Sequence, residues 1–141
     1  MEFHFGRLID HVHLVTGDLA ASKRFYVAVL KALGRSITFE LEHAFASDEL
    51  FISDAAFVGA DGTQPHRVHL AFQAADRDAV ARFHRAGLEA GGRDNGAPGE
   101  RPYHPGYFGA FLLDPDGNNV EAVHHGPARR SAASIVITPD G

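Results

Sequence analysis

Displacing the 141-residue chain by 58 positions lays one stretch of it on another. His11 falls on His69, Asp18 on Asp76, Ala21 on Ala79 and Arg24-Phe25 on Arg82-Phe83. Ala28 then meets Ala86, Leu30 meets Leu88, Ala32 meets Ala90, and Gly34-Arg35 meets Gly92-Arg93. Self-similarity at a fixed offset is the mark of a duplicated supersecondary unit. Amphipathic patterning repeats caps and apolar spacings by itself, but it does not require the same His and Arg to recur. The chain therefore reads as one domain over 7–125 built from two modules, about 7–58 and about 66–125, with 126–141 as a peripheral tail.

Each copy opens in the same manner. Residues 8–15 alternate and are rich in apolar and β-branched types, which predicts a strand. Asp18 is placed to cap a following helix, Leu19, Phe25, Tyr26, Val29, Leu30 and Leu33 recur at helical spacing, and Gly34 stops it. In the second copy 67–73 is the strand, Asp76 the cap and 77–90 the helix, with Val80, Phe83 and Leu88 on its buried face and Gly91-Gly92 as the stop. Short strands follow each helix: 36–42, 43–47 and 50–53 in the first copy, 107–113 and 119–124 in the second. Asp114-Pro115-Asp116-Gly117 joins the last two as a tight turn, with proline presetting φ and glycine tolerating a positive φ. The Pro- and Gly-rich stretch 94–106 reads as a long loop, either one that gates a site or a solvated connector. Ile135-Val136-Ile137 in the tail reads either as an edge strand or as a mobile segment.

Chemistry is narrowed by what is missing. With no cysteine there is no disulfide, no thiolate nucleophile and no sulfur-ligated zinc. A net charge of −5 gives no basic face for nucleic acid. Residues 1–6 lack the basic and apolar regions of a signal peptide, and no apolar run reaches membrane-spanning length, so a cytoplasmic protein is expected. Ten histidines is the unusual count, and it directs attention to metal or proton chemistry.

Side chains alternate along a strand, so His11 and His13 share a face, while Glu121 shares one with Asn119 and Val123. If a pseudo-twofold axis relates the copies, His11 and His69 are equivalent, whereas the counterpart of His13 is Ala71. Glu121 stands in the apolar run Val120-Glu121-Ala122-Val123, where a buried carboxylate needs a partner. Two histidines and one carboxylate with open positions form the facial arrangement of non-haem divalent metal sites. Taken singly, each is more often a hydrogen-bonded strand residue or a solvated one, and spacing alone leaves the two readings level.

The stretches Ile9-Asp10-His11-Val12, Asp18-Leu19 through Phe25-Tyr26 and Leu30, His69, and Asp114-Pro115-Asp116-Gly117-Asn118-Asn119-Val120-Glu121 carry a family resemblance. Over most of 7–125 the chain resembles the vicinal oxygen chelate superfamily, which includes glyoxalase I, extradiol dioxygenases and bleomycin-resistance proteins. The resemblance implies an α+β fold of tandem βαβββ modules forming a cupped mixed sheet, with the helices on its outer face, around one divalent metal. It maps the metal positions onto His11, His69 and Glu121, and it implies a homodimer, sometimes with modules paired across chains. One departure stands out. Glyoxalase I has a further carboxylate in the last strand of its first module, and here the counterpart of Glu121 falls near Phe51. The chain is also about half as long as typical two-domain extradiol dioxygenases.

Such a site would chelate vicinal oxygens of a small substrate, through Fe, Mn, Ni or Zn, and act as a lyase, isomerase or dioxygenase. The candidates for proton movement are His13, Tyr103, His104 and Tyr107, each of which reads equally as a packing or solvated residue. Arg67 and Arg101 are available to an anionic substrate. The alternative is a non-catalytic small-molecule binding or antibiotic-resistance protein of the same fold.

Overall fold

A computed structural model of the chain describes residues 6, 8–59 and 67–140. Its elements run β1 (Val12–Val15), α1 (Leu19–Ala32), β2 (Phe39–Leu41), β3 (Ala44–Ser47), β4 (Leu50–Ser53), α2 (Ala55–Val58), β5 (His69–Gln73), α3 (Arg77–Glu89), β6 (Arg93–Glu100), β7 (Phe108–Leu113) and β8 (Asn119–His124). Each half is a βαβββ module with a mixed four-stranded sheet, ordered β1-β4-β3-β2 in the first and β5-β8-β7-β6 in the second. The first and last strands of each module pair in parallel, β1 with β4 and β5 with β8, and the other pairings are antiparallel. None of the described helices is long and apolar enough to cross a membrane.

The local signals behave as expected. The Asp18 carboxylate accepts from Ala21 N at 3.0 Å and the Asp76 carboxylate from Ala79 N at 2.7 Å, so equivalent caps start α1 and α3. Gly34 and Gly91 follow the two helices at positive φ, 77° and 95°. Gly117 (φ 86°) closes the β7–β8 turn, its N–H donating to Asp114 O at 3.0 Å.

The modules share one core. Phe25, Tyr26 and Val29 of α1 and Val80 and Phe83 of α3 are fully buried against Phe45, Ile52, Leu112, Val120 and Ala122. Each such large side chain contributes roughly 1.5–3 kcal/mol. The expected contribution of Leu88 to this face is corrected: it is 41% exposed, and Gly87 lies inward instead. A Cβ on Gly87 would lie 2.2 Å from the Leu112 side chain and 3.0 Å from Val29, so close packing of α1, α3 and β7 takes the space a larger residue would fill. A polar network also crosses the module boundary. Tyr26 OH donates to Asp114 Oδ2 at 2.6 Å, and the Asp116 carboxylate accepts from Thr16 Oγ1 at 2.6 Å and from Gly17 N at 2.9 Å. It ties the β7–β8 turn to the start of α1.

Two further expectations are corrected. Residues 94–106 are not one long loop, because β6 occupies Arg93–Glu100. This strand lies at the sheet edge and pairs only with β7, so Pro98 costs no second ladder bond, and register shifts between Asp94/Gly96 and Gly96/Gly99 absorb the irregular residues. β1 covers Val12–Val15 rather than 8–15, since its partner β4 offers only four residues. The short helix α2 was not foreseen; four residues carry no periodicity, although Asp54 caps it through Phe57 N. Of the two readings of the tail, the strand does not form over the described residues 126–140, and Ile135, Val136 and Ile137 are 70–85% exposed.

Candidate functional site

β8 alternates between two environments. Val120 and Ala122 enter the shared core, while Glu121 points to the opposite face of the second sheet. Cross-strand register places Ala71 of β5 on one side of Glu121 and Phe111 of β7 on the other. His69, two residues before Ala71, shares that face. Its Nε2 lies 2.9 Å from Glu121 Oε1. The second carboxylate oxygen accepts a short hydrogen bond from Tyr107 OH. Glu121 is only 2% exposed, so these two partners are what makes a carboxylate tolerable inside an apolar strand. The His69 side chain is 54% exposed and opens the group to the outside.

Gly109 makes the room. On this same face, a Cβ there would stand 3.1 Å from Glu121 Oε2 and 3.2 Å from Tyr107 Cε1. Burial, then the hydrogen bond to Glu121 and its charge, push the Tyr107 phenol well above its ordinary pKa, so it stays a donor.

The short connection from β6 to β7 adds an aromatic rim. Tyr103 and His104 pack edge-on against Tyr107, with centroids 4.9 and 5.4 Å away. His104 Nδ1 lies 2.8 Å from Pro105 O, and a carbonyl only accepts, so Nδ1 carries the proton. In the neutral ring, Nε2 then accepts from His125 Nδ1, 2.8 Å distant. Burial first, and then the neighbouring His104, hold His125 below its usual pKa, whereas Glu121 acts in the opposite sense. The connection is tied down rather than loose: Arg101 N donates to Tyr107 O at 3.0 Å, and Gly106 is so close to residues 125–126 that a Cβ would meet His125 O at 3.1 Å. These contacts give no support to a gate over 94–106.

The structure thus brings together His69, Glu121 and Tyr107, with Tyr103 and His104 beside them. It does not bring His11 or His13 to that group within one chain. His11 is exposed before β1, its Nδ1 2.6 Å from Asp10 Oδ1. His13 Nε2 lies 2.8 Å from Ser53 Oγ, with its ring edge-on to Phe51 at 4.8 Å. Among the described residues no three His, Asp or Glu side chains gather to hold a metal. His69 and Glu121 do fit as two members of such a set. They are a nitrogen and an oxygen donor 2.9 Å apart, and ligands about 2.1 Å from a common ion at right angles lie about 3 Å apart.

Register also fixes the module equivalence. His13 pairs with Phe51 as Ala71 pairs with Glu121, so Phe51 occupies in the first sheet the place of Glu121 in the second. Sequence reasoning overlooked His125. It continues the alternation 119, 121, 123 of β8, and that signal was available. Gly109 was also overlooked; a lone glycine in a strand marks close approach, but not of what.

The model of the glyoxalase/bleomycin resistance protein/dioxygenase superfamily matches residues 8–122. The chain is similar to a glyoxalase/bleomycin resistance protein from Albidiferax ferrireducens, at 28% identity and a TM-score of 0.66, covering 83% of this chain and 98% of that one. A glyoxalase-related enzyme from Fulvimarina pelagi shares the fold at 20% identity and a TM-score of 0.63, covering 89% and 99% of the two chains. So does a lactoylglutathione lyase from Agrobacterium tumefaciens, at 20% identity and 0.62, covering 84% and 93%. No curated protein matches the sequence significantly.

Proposed function

Since the chain belongs to the glyoxalase/bleomycin resistance protein/dioxygenase superfamily, we propose that it is a cytoplasmic, metal-dependent enzyme acting on a small substrate that chelates the metal through vicinal oxygens. The observation that carries this reading is the buried Glu121 carboxylate, held between His69 Nε2 and Tyr107 OH on an otherwise apolar strand. His69 and Glu121 would hold the ion, and His11 is the third ligand. A divalent metal (Fe, Mn, Ni or Zn) supplies Lewis acidity for the enolate or catecholate oxygen that develops on such a substrate.

The protein's own groups do the rest. Tyr107 fixes the orientation of the Glu121 carboxylate, as outer hydrogen bonds do for ligating groups. His104, paired with His125, is an imidazole at the rim and a proton carrier for lyase, isomerase or dioxygenase chemistry. His13 lies in the other sheet among Phe51 and Phe57, where it lines an apolar wall. In one chain His11 stands apart from His69 and Glu121, which supports a homodimer in which the partner copy supplies it. The apolar residues left exposed on the first sheet, Phe39 (50%) and Leu41 (47%), support the same assembly.

The test is metal content of the purified protein, with mass by light scattering at micromolar concentration. About one ion per chain and a dimer are expected, and His69→Ala, Glu121→Ala and His11→Ala should each lower occupancy at least tenfold without unfolding the chain. A metal-free wild type under every reconstitution would instead leave the non-catalytic binding protein. A metal-loaded monomer would remove the partner from the site.

A further inference from the structure

Arg101 follows β6 and folds its side chain back across that strand. Its guanidinium lies over the Phe111 ring, 5.4 Å from the centroid. Phe111 is the cross-strand neighbour of Glu121, and its ring lies 6.1 Å from that of His69. The cation is therefore on the same face as the proposed metal ligands, near enough for its charge to act on Tyr107.

The backbone beneath it is shaped for it. A Cβ on Gly96 would lie 3.3 Å from Arg101 Nη2, and one on Gly99 would lie 3.0 Å from Nη1. Two glycines thus leave a bare strip of β6 on which a flat guanidinium rests. Gly96 is also at φ 152°, where a side chain is disfavoured. Nη2 donates to Ala97 O at 2.7 Å and Nη1 to Glu100 O at 3.3 Å. Guanidinium has five N–H donors, and these contacts use two. Among the described residues no carboxylate pairs with it, whereas Arg77 at the start of α3 has Glu100 at 2.9 Å. A cation stacked on an aromatic ring, fixed by two carbonyls and left without a counter-ion is organised for an external anion.

We propose that Arg101 is the substrate-binding residue for a carboxylate, so that the substrate is a small carboxylic acid whose vicinal oxygens reach His69 and Glu121. The assignment deepens the reading above and shares its site. A carboxylate is favoured over phosphate because the one unpaired cation matches a monoanion, which the guanidinium fork takes in two parallel bonds. The carbonyls of Ala97 and Glu100 fix the direction of the fork, so an acid bound there has one orientation relative to Glu121.

Benzoate, with benzamide as its neutral isostere and inorganic phosphate as the tetrahedral anion, tests this by calorimetry and by the Arg101 Nε–H resonance. Benzoate should shift that resonance and bind at least tenfold more tightly than benzamide or phosphate. Arg101→Gln should lose at least tenfold in benzoate affinity while keeping wild-type metal content, and Arg101→Lys should fall between. Gly99→Ala, which keeps the cation but crowds Nη1, should weaken benzoate in the same direction. Chelator-treated wild type should bind benzoate within threefold of the untreated protein. An unshifted Arg101 resonance, or wild-type benzoate affinity in Arg101→Gln, overturns the assignment. So does an equal loss on chelator treatment, which would put the anion on the metal. Failure of the metal reading is seen separately, in the metal content of the wild type.

Discussion

Adding one methyl group at Gly109 should disturb the site while sparing the fold. The backbone there is not in the left-handed region, so alanine fits the strand, and Gly→Ala at a compatible position stabilises by about 0.4–1 kcal/mol through the unfolded chain. The new Cβ would stand 3.1 Å from Glu121 Oε2 and 3.2 Å from Tyr107 Cε1. Carbon contacts settle at roughly 3.5–4.0 Å, so phenol and carboxylate must separate by a few tenths of an ångström. The bond between them is charge-assisted, and such bonds contribute roughly 1.5–3 kcal/mol. Losing about a third to a half of it costs about 1 kcal/mol, which the backbone gain nearly offsets. Urea denaturation of Gly109→Ala should therefore give a stability within about 0.5 kcal/mol of wild type. The phenol does respond: weakening its hydrogen bond to the Glu121 carboxylate lowers its pKa. The chain has three tyrosines and no tryptophan, so phenolate absorbance reports this directly, and Tyr107 should ionise earlier in the variant. Metal occupancy should fall with it. Destabilisation above about 2 kcal/mol, or an unchanged phenolate titration, would refute the reasoning that Gly109 exists to seat this pair.

Three further outcomes follow from the same geometry. Tyr26→Phe removes one donor from buried Asp114, which keeps Asn118 N, Asn118 Nδ2 and Asp116 N; a loss of about 2 kcal/mol is expected, and roughly 8 °C in Tm by calorimetry. Burial foremost, with Asp114 for Tyr26 and Glu121 for Tyr107, raises both phenols when folded, so the stability they confer is complete below about pH 10 and is lost as pH rises further. Urea midpoints between pH 9 and 11 should fall more steeply for wild type than for Tyr26→Phe. Burial and His104 depress His125, so its contribution is present above about pH 6.5 and is lost as pH falls through the folded pKa; His125→Gln should flatten the acid limb between about pH 6.5 and 5.

The parts that were legible share a cause: they are local, or they repeat. The caps Asp18 and Asp76, the Asp114–Gly117 turn and the alternation that exposes Glu121 to one face depend on a few neighbouring residues. The equivalence of Phe51 and Glu121 follows from the order of strands in each module rather than from the 58-residue offset, and cross-strand register bears it out. β6 was missed because Pro98 and its glycines are poor strand formers, and only an edge position with shifted register makes them acceptable. Leu88 and Gly87 were exchanged because helical spacing gives a face, but close packing against Leu112 decides which residue sits at its centre. The separation of His11 from His69 was illegible for a different reason. Equivalence within a repeat says that two residues occupy like places, and it leaves open whether those places adjoin in one chain.

The substitution of Phe51 for a second Glu121 has a bearing on selectivity. Two identical sheets facing a ligand could not tell its ends apart, because a twofold axis would accept either orientation equally. With a ring where the other copy has a carboxylate, the two sheets offer unlike surfaces, His13 against Phe51 on one and His69 with Glu121 on the other. The repeat is thereby twofold in its backbone and not in its chemistry: of the two equivalent positions, that of Glu121 alone carries a carboxylate.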